Sequence, residues 1–120
     1  MSTYRVLVAC ECSGVVREAF RARGHDAWSC DLKPSEDGSD RHIQGDVLPV
    51  LARGWDLVIA HPPCTYLSVS GMHWTARGLR DPQLTEDAIV FFRACLDAPA
   101  PRVCVENPVG VTSTRIRPPD

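Results

Sequence analysis

Short apolar runs alternate with stretches of helical periodicity along the chain of 120 residues. The apolar runs are rich in β-branched residues and end at small or charged ones, which is typical of buried parallel strands. They predict five strands, over residues 4–10, 25–32, 42–46, 55–60 and 102–106. Apolar residues at helical spacing predict helices over residues 15–23, 47–53 and 85–96.

This alternation of strands and helices predicts a single α/β domain with a Rossmann-like, mostly parallel sheet and helices on its faces. The length fits one domain with one core. Segments 33–41 and 65–82 lack a clear period and are predicted to be loops. In such sheets, ligands bind beyond the carboxyl ends of the strands. Candidate functional residues are therefore sought where strands end.

Composition narrows the class of protein only slightly. The formal charge of −2 gives no general attraction to phosphate, so contact with nucleic acid would need a local basic patch. No apolar run approaches the ~20 residues of a membrane-spanning helix, and the N-terminus lacks the apolar stretch of a signal peptide. We expect a cytoplasmic protein that does not contact membranes.

Six cysteines in such a protein are expected to be thiols rather than disulfides. Cys10 and Cys12 are not followed by the partner residues of a zinc site, so no structural metal is expected. Cys30, Cys95 and Cys104 lie in apolar periodic segments and are predicted to be buried and unreactive.

The turn after the first strand and the ends of the next two strands form the first candidate site. Cys12, Ser13 and Gly14 open a helix, where free backbone N–H groups favour polar or anionic ligand atoms, although an ordinary tight turn fits equally well. Asp31 could bond the ribose of an adenosine-bearing cofactor, or could be a solvated or helix-capping acid. Asp46 could reach an adenine amino group.

The second candidate site is a cysteine that follows two prolines at the end of the fourth strand. Pro62 and Pro63 stiffen the backbone before Cys64, which suits a nucleophile whose sulfur must point in one direction. Glu106 ends the last strand and suits a general acid or a contact to a base edge. The two strands are consecutive among the predicted strands, so we expect the two side chains to be neighbours.

The segment from Pro62 to Gly71 around Cys64, Glu106-Asn107 after an apolar strand, and the turn at Gly14 together resemble the DNA (cytosine-5) methyltransferase family. The resemblance implies the fold of an S-adenosylmethionine-dependent methyltransferase and a methyl transfer from that cofactor to cytosine C5. Cys64 would add to C6 of a flipped-out cytosine, and Glu106 would bond its Watson–Crick edge. The implied cofactor contacts are Cys12, Ser13, Gly14, Asp31, Asp46 and Pro63.

The chain departs from the family pattern in ways that keep alternatives open. Cys12 stands where the family has a glycine, and Thr65 where it commonly has a glutamine. The family's later strands and target-recognition domain are expected to be missing. A non-catalytic domain that binds cofactor or DNA, or that self-associates or needs a partner chain to complete its fold, is therefore the alternative. Methylation of an exocyclic amino group fits less well, because His61 and Cys64 replace the acid and aromatic of that loop. Candidate DNA contacts are Arg77, Arg80, Arg115 and Arg117.

Overall fold

The computed structural model describes residues 3–62 and 82–106. All eight predicted elements are present there, and their observed bounds are β1 (Arg5–Ala9), α1 (Val15–Arg21), β2 (Asp26–Asp31), β3 (His42–Gln44), α2 (Val47–Val50), β4 (Leu57–Ala60), α3 (Pro82–Leu96) and β5 (Arg102–Val105). Within these residues, the helices are too short or too polar to cross a membrane.

The five strands form one sheet in the order β3-β2-β1-β4-β5. Every pair of neighbouring strands is parallel. The predicted α/β class with a parallel sheet is therefore confirmed. After β3 the chain returns past β1 to place β4 on its other side, so the strand order reverses between β1 and β4. This reversal is the point where sheets of this type leave a crevice for a ligand.

Successive residues of a strand point to opposite faces of the sheet. Both faces carry apolar side chains here, and helices cover them from both sides. One face packs against α2 and α3 and contains the larger cluster of buried residues, among them Leu7, Val58 and Cys95. The other face packs Val6 and Val8 of β1 against α1. β1 is buried on both sides, which explains its uninterrupted apolar sequence.

The prediction that Cys104 is buried is wrong. Cys104 is exposed, whereas Cys30 and Cys95 are buried as predicted. On β5, Val103 and Val105 pack into the clusters that include α3 residues, and Cys104 points to the opposite face. Among the described helices only α1 lies on that opposite face, and it packs against β1 and β2. An apolar run thus predicted the strand but not whether both of its faces are covered.

Most element ends lie one to three residues from the predicted positions, and the starts of β4 and α3 have identifiable reasons. β4 begins at Leu57 rather than at residue 55, because the Arg5 N–H opposite it donates to the Asp56 carboxylate at 2.8 Å instead of to a backbone carbonyl. Trp55 is buried, and its indole Nε1 donates to the Val50 carbonyl at the end of α2, 2.7 Å away. α3 begins at Pro82, three residues before the predicted start. Proline is favoured in the first turn of a helix, where its missing N–H is not needed.

Candidate functional site

The candidate site lies at the carboxyl ends of β1 and β4, where the strand order reverses. A cavity of about 340 Å³ opens there, within the size range of small-molecule sites. It is lined by Cys10, Glu11, Cys12, Ser13, Val15, Val16 and His61. The turn after β1 and the first residue after β4 therefore form the walls of one cavity.

The turn after β1 is sharp, and Cys10 and Gly14 give it its shape. Cys10 has a φ of 63°, in the left-handed region, and its N–H donates to the Cys30 carbonyl at 2.7 Å. Gly14 has a φ of 82° and is the residue that precedes α1. A side chain at Gly14 would overlap the Arg17 guanidinium and the Asp37 carboxylate. The packing beneath the turn thus requires a glycine at position 14, whether or not Gly14 also contacts a cofactor.

Glu11 occupies the backbone amides that the sequence suggested would be free for a ligand. Its carboxylate accepts hydrogen bonds from the N–H groups of Val16 at 2.7 Å and Arg17 at 3.3 Å. It also accepts one from the Ser13 hydroxyl at 3.2 Å. The expectation of free N–H groups for an anionic ligand at the start of α1 is therefore wrong. The turn instead places Glu11, a residue that is only 7% exposed, in the wall of the cavity.

Arg17 ties the loop after β2 to the turn after β1. The residue is fully buried, and its guanidinium donates to Ser29 Oγ at 2.7 Å and pairs with the Asp37 carboxylate. In the same loop, the Glu36 N–H donates to the Cys12 carbonyl at 2.8 Å, and the Cys12 thiol donates to the Glu36 carboxylate at 2.9 Å. These contacts fix the position of the loop that begins directly after Asp31.

The two aspartates predicted to hold a cofactor have different surroundings. Asp31 lies at the end of β2, next to the turn, because the carbonyl of the preceding Cys30 accepts hydrogen bonds from that turn. Its Oδ1 accepts a hydrogen bond from the Lys33 N–H at 2.9 Å, which leaves Oδ2 for a ligand. Asp46 is the N-cap of α2 and accepts a hydrogen bond from the Leu48 N–H at 3.0 Å. Asp46 thus has a local structural role in addition to the predicted one.

His61 and Glu106 lie side by side at the carboxyl ends of β4 and β5. The two N–H groups continue the sheet ladder, with that of His61 donating to the Ala9 carbonyl and that of Glu106 to the Ala60 carbonyl, both at 3.0 Å. The side chains meet with His61 Nδ1 at 3.1 Å from Glu106 Oε2. Glu106 is thus not itself a lining residue of the cavity, but it contacts His61, which is one.

Four of the cysteines in the described part of the chain are held as thiols. Burial raises the pKa of Cys10 to about 12 and the pKa values of Cys30 and Cys95 to about 11. The hydrogen bond to the Glu36 carboxylate raises the pKa of Cys12. The thiolate is the reactive form of cysteine, so these four residues are poor nucleophiles at neutral pH.

The remaining predicted site residues lie outside the described part of the chain. They are the proposed nucleophile Cys64, the adjacent Pro63, and the candidate DNA contacts Arg77, Arg80, Arg115 and Arg117.

Three residues that contribute to this site were not among the predicted site residues: Glu11, Arg17 and His61. Glu11 lies five and six residues before the amides that it accepts from, so it does not match the usual spacing of a helix cap. Arg17 lies in a helix whose sequence pattern is amphipathic, and because arginine is rarely fully buried, the pattern predicts an exposed side chain there. His61 had a signal, since it directly follows a buried strand.

The comparisons with known proteins give no further assignment. No family model matches the sequence, and no curated protein or solved structure is significantly similar to the chain.

Proposed function

We propose that the protein transfers the methyl group of S-adenosylmethionine to C5 of cytosine in DNA, with Cys64 as the nucleophile. The proposal combines the motif resemblance with the geometry at the carboxyl edge of the sheet. The observation that carries it is the cavity at the reversal of strand order, whose wall bears a nearly buried carboxylate.

The charge of this cavity favours a cationic ligand without phosphate. Glu11 is the one formally charged side chain among the described residues that line it, besides the titratable His61 and two cysteines. A phosphate-bearing cofactor would meet the Glu11 carboxylate instead of free helix N–H groups. S-adenosylmethionine carries a sulfonium and an ammonium group against one carboxylate, so it is cationic overall, and its ribose hydroxyls could be bound by Asp31 Oδ2. The residues present therefore fit this cofactor, and when bound it would supply the electrophilic methyl group.

The catalytic part of the proposal rests on the neighbouring ends of β4 and β5. Glu106 contacts His61, and Cys64 is the third residue after His61. The proposal therefore has Glu106 and Cys64 act on the same base.

The proposed reaction uses these two residues on a cytosine taken out of the duplex. The Cys64 thiolate adds to C6 while Glu106 bonds the Watson–Crick edge of the ring, which turns C5 into a nucleophile. C5 would then take the methyl group of the bound cofactor, which would leave as S-adenosylhomocysteine. A base would remove the C5 proton, and its electron pair would expel the Cys64 thiolate from C6 to give 5-methylcytosine.

A covalent trap tests the nucleophile. Duplex DNA that contains 5-fluorocytosine is incubated with the protein and S-adenosylmethionine, and the adduct is detected by denaturing electrophoresis and mass spectrometry. Fluorine at C5 prevents the last elimination, so an adduct on Cys64 should accumulate. Cys64→Ser should abolish it, while Cys104→Ser, which removes an exposed thiol on β5, should not. An adduct that persists in Cys64→Ser would exclude the assignment.

A second candidate function is a binding domain that needs a partner chain. It is favoured by one observation: on the face of the sheet that carries α1, Ile59 of β4 is only half-buried and Cys104 of β5 is exposed, and no described helix packs there. For such a domain, S-adenosylmethionine should raise the melting temperature while no labelled methyl group reaches DNA. Methyl transfer by the purified monomer would exclude this candidate.

A further inference from the structure

The surrounding atoms determine which group is the donor in the hydrogen bond between His61 and Glu106. The contact joins His61 Nδ1 to Glu106 Oε2, and the Glu106 side chain is 68% exposed. A carboxylate oxygen accepts a hydrogen bond, so the ring nitrogen that faces it is the donor. The 3.1 Å contact between His61 Nδ1 and Glu106 Oε2 therefore needs its proton on Nδ1.

The other ring nitrogen leads to the same conclusion independently. His61 Nε2 is buried and has no hydrogen-bond partner in the described part of the chain. A proton on Nε2 would place a donor without an acceptor in the interior, which costs more than an unused acceptor. The two ring nitrogens together therefore place the ring proton on Nδ1.

Other groups around the cavity do not compete for His61. The Glu11 carboxylate is already bonded to the N–H groups of Val16 and Arg17 and to Ser13. The thiols of Cys10 and Cys12, which line the same cavity, have raised pKa values owing to burial and to the Glu36 carboxylate, respectively. Glu106 is therefore the acidic partner of His61 in the described structure.

We infer that His61 is a positioning residue, which holds Glu106 Oε2 through an Nδ1–H hydrogen bond and leaves Oε1 to meet the substrate. The structural part of this inference stands on the contact itself, and its catalytic consequence rests on the proposed function. A carboxylate with one oxygen held and the other exposed can accept a hydrogen bond from an exocyclic amino group of a base.

The tautomer of His61 tests the structural part in the free protein. Nitrogen-15 NMR of the imidazole rings at mildly alkaline pH distinguishes Nδ1–H from Nε2–H, and the His61→Asn spectrum identifies the signal. We expect Nδ1–H in the wild type and a shift toward Nε2–H in Glu106→Ala, because the partner of the other nitrogen decides the tautomer. An Nε2–H ring, a doubly protonated ring, or an Nδ1–H ring that persists in Glu106→Ala would overturn the inference.

Two substitutions separate positioning from packing. Asparagine places an amide N–H near the position of Nδ1, whereas glutamine places it near that of Nε2. With labelled methyl transfer to DNA as the readout, we expect His61→Asn to stay within about 3-fold of the wild-type kcat. We expect His61→Gln to lose about 10- to 100-fold, as for a lost hydrogen bond to a charged group. Equal losses in both variants, at equal melting temperature, would contradict the positioning role.

The two measurements also separate this inference from the proposed function. A wild-type protein that transfers no methyl group would contradict the proposed function, while the tautomer measurement would still decide how His61 and Glu106 interact. Methyl transfer in the presence of an Nε2–H tautomer would contradict the positioning role and leave the proposed function in place.

Discussion

At the scale of single residues, two glycines with nearly the same backbone conformation allow strain to be separated from packing. Gly14 has a φ of 82° and Gly24 a φ of 87°. A side chain at Gly24 would meet no atom within 4 Å, whereas one at Gly14 would overlap Arg17 and Asp37. We expect Gly24→Ala to lower the free energy of unfolding by about 1 kcal/mol from strain alone.

Gly14→Ala should lower the free energy of unfolding by that amount and by about 1 to 3 kcal/mol more, because the buried Arg17 guanidinium must move. Urea denaturation of both variants measures the difference. Equal costs would show that the Arg17 side chain can move away freely.

Asp31 allows the predicted cofactor contact to be tested without disturbing the loop. Asp31→Asn keeps an oxygen that can accept the hydrogen bond from the Lys33 N–H, and it replaces the second carboxylate oxygen with an amide NH2 group. If Asp31 binds the ribose hydroxyls, S-adenosylmethionine should bind about 1 to 3 kcal/mol more weakly in this variant. Isothermal titration calorimetry measures the affinity, and Asp97→Asn, at an exposed acid after α3, is the control. Unchanged affinity in Asp31→Asn would exclude the ribose contact.

Sequence reasoning found the residues at strand ends but not the contacts beneath them. It placed Asp31 and Glu106 at the carboxyl edge of the sheet, because strands of a parallel sheet end on one side. Glu11 and Arg17 were missed, since their roles depend on a turn that bends back under α1 and on a loop that docks against it. Hydrophobic patterns carry no information about such polar contacts between distant segments.

At the scale of elements, the short helix α2 depends on its cap. Asp46 accepts the Leu48 N–H, and a helix of this length has few internal hydrogen bonds. Asp46→Ala should lower the free energy of unfolding by about 1 kcal/mol, while Asp46→Ser, which can also cap, should lower it by a few tenths at most.

The same pair of variants tests the predicted contact to adenine. If Asp46 only caps the helix, Asp46→Ser should bind S-adenosylmethionine with wild-type affinity. Weaker binding by a stable Asp46→Ser variant would instead support the adenine contact. Denaturation and calorimetry on the same preparations provide both numbers.

The elements themselves were predictable because each has its own pattern. Strand β1 is apolar and buried on both faces from Val6 to Ala9, so its type was clear. The start of β4 was not, because Trp55 is as apolar as a strand residue, whereas the Arg5 N–H opposite it bonds the Asp56 side chain instead of a backbone carbonyl. Apolar character predicts burial, and whether the backbone joins the ladder depends on a hydrogen bond that the pattern does not contain.

At the scale of the whole molecule, the exposed Cys104 shows what an alternating pattern of strands and helices leaves open. That pattern predicted the parallel sheet, which is confirmed. It did not predict which half of each face a helix covers, because coverage depends on how the connections cross the sheet. The same uncertainty affects the site: the strand order that creates the cavity beside β1 was seen only in the structure.

The buried thiols of the core should make the whole fold sensitive to alkaline pH. Burial raises the pKa of Cys10 to about 12 and those of Cys30 and Cys95 to about 11, from an ordinary value of 9.0. Above that ordinary value, the unfolded chain loses protons that the folded chain keeps, so ionisation favours unfolding. The stability that these thiols contribute is therefore complete below about pH 9 and falls as the pH rises toward 11.

Urea denaturation at about pH 8 and about pH 10 measures this loss directly. Cys95→Val replaces a core thiol by an apolar group that cannot ionise, so the loss of stability between the two pH values should be smaller in this variant than in the wild type. Cys104→Ser removes an exposed thiol and should leave the loss unchanged. If Cys95→Val and the wild type lose the same free energy of unfolding over this interval, the ionisation of Cys95 is not coupled to unfolding.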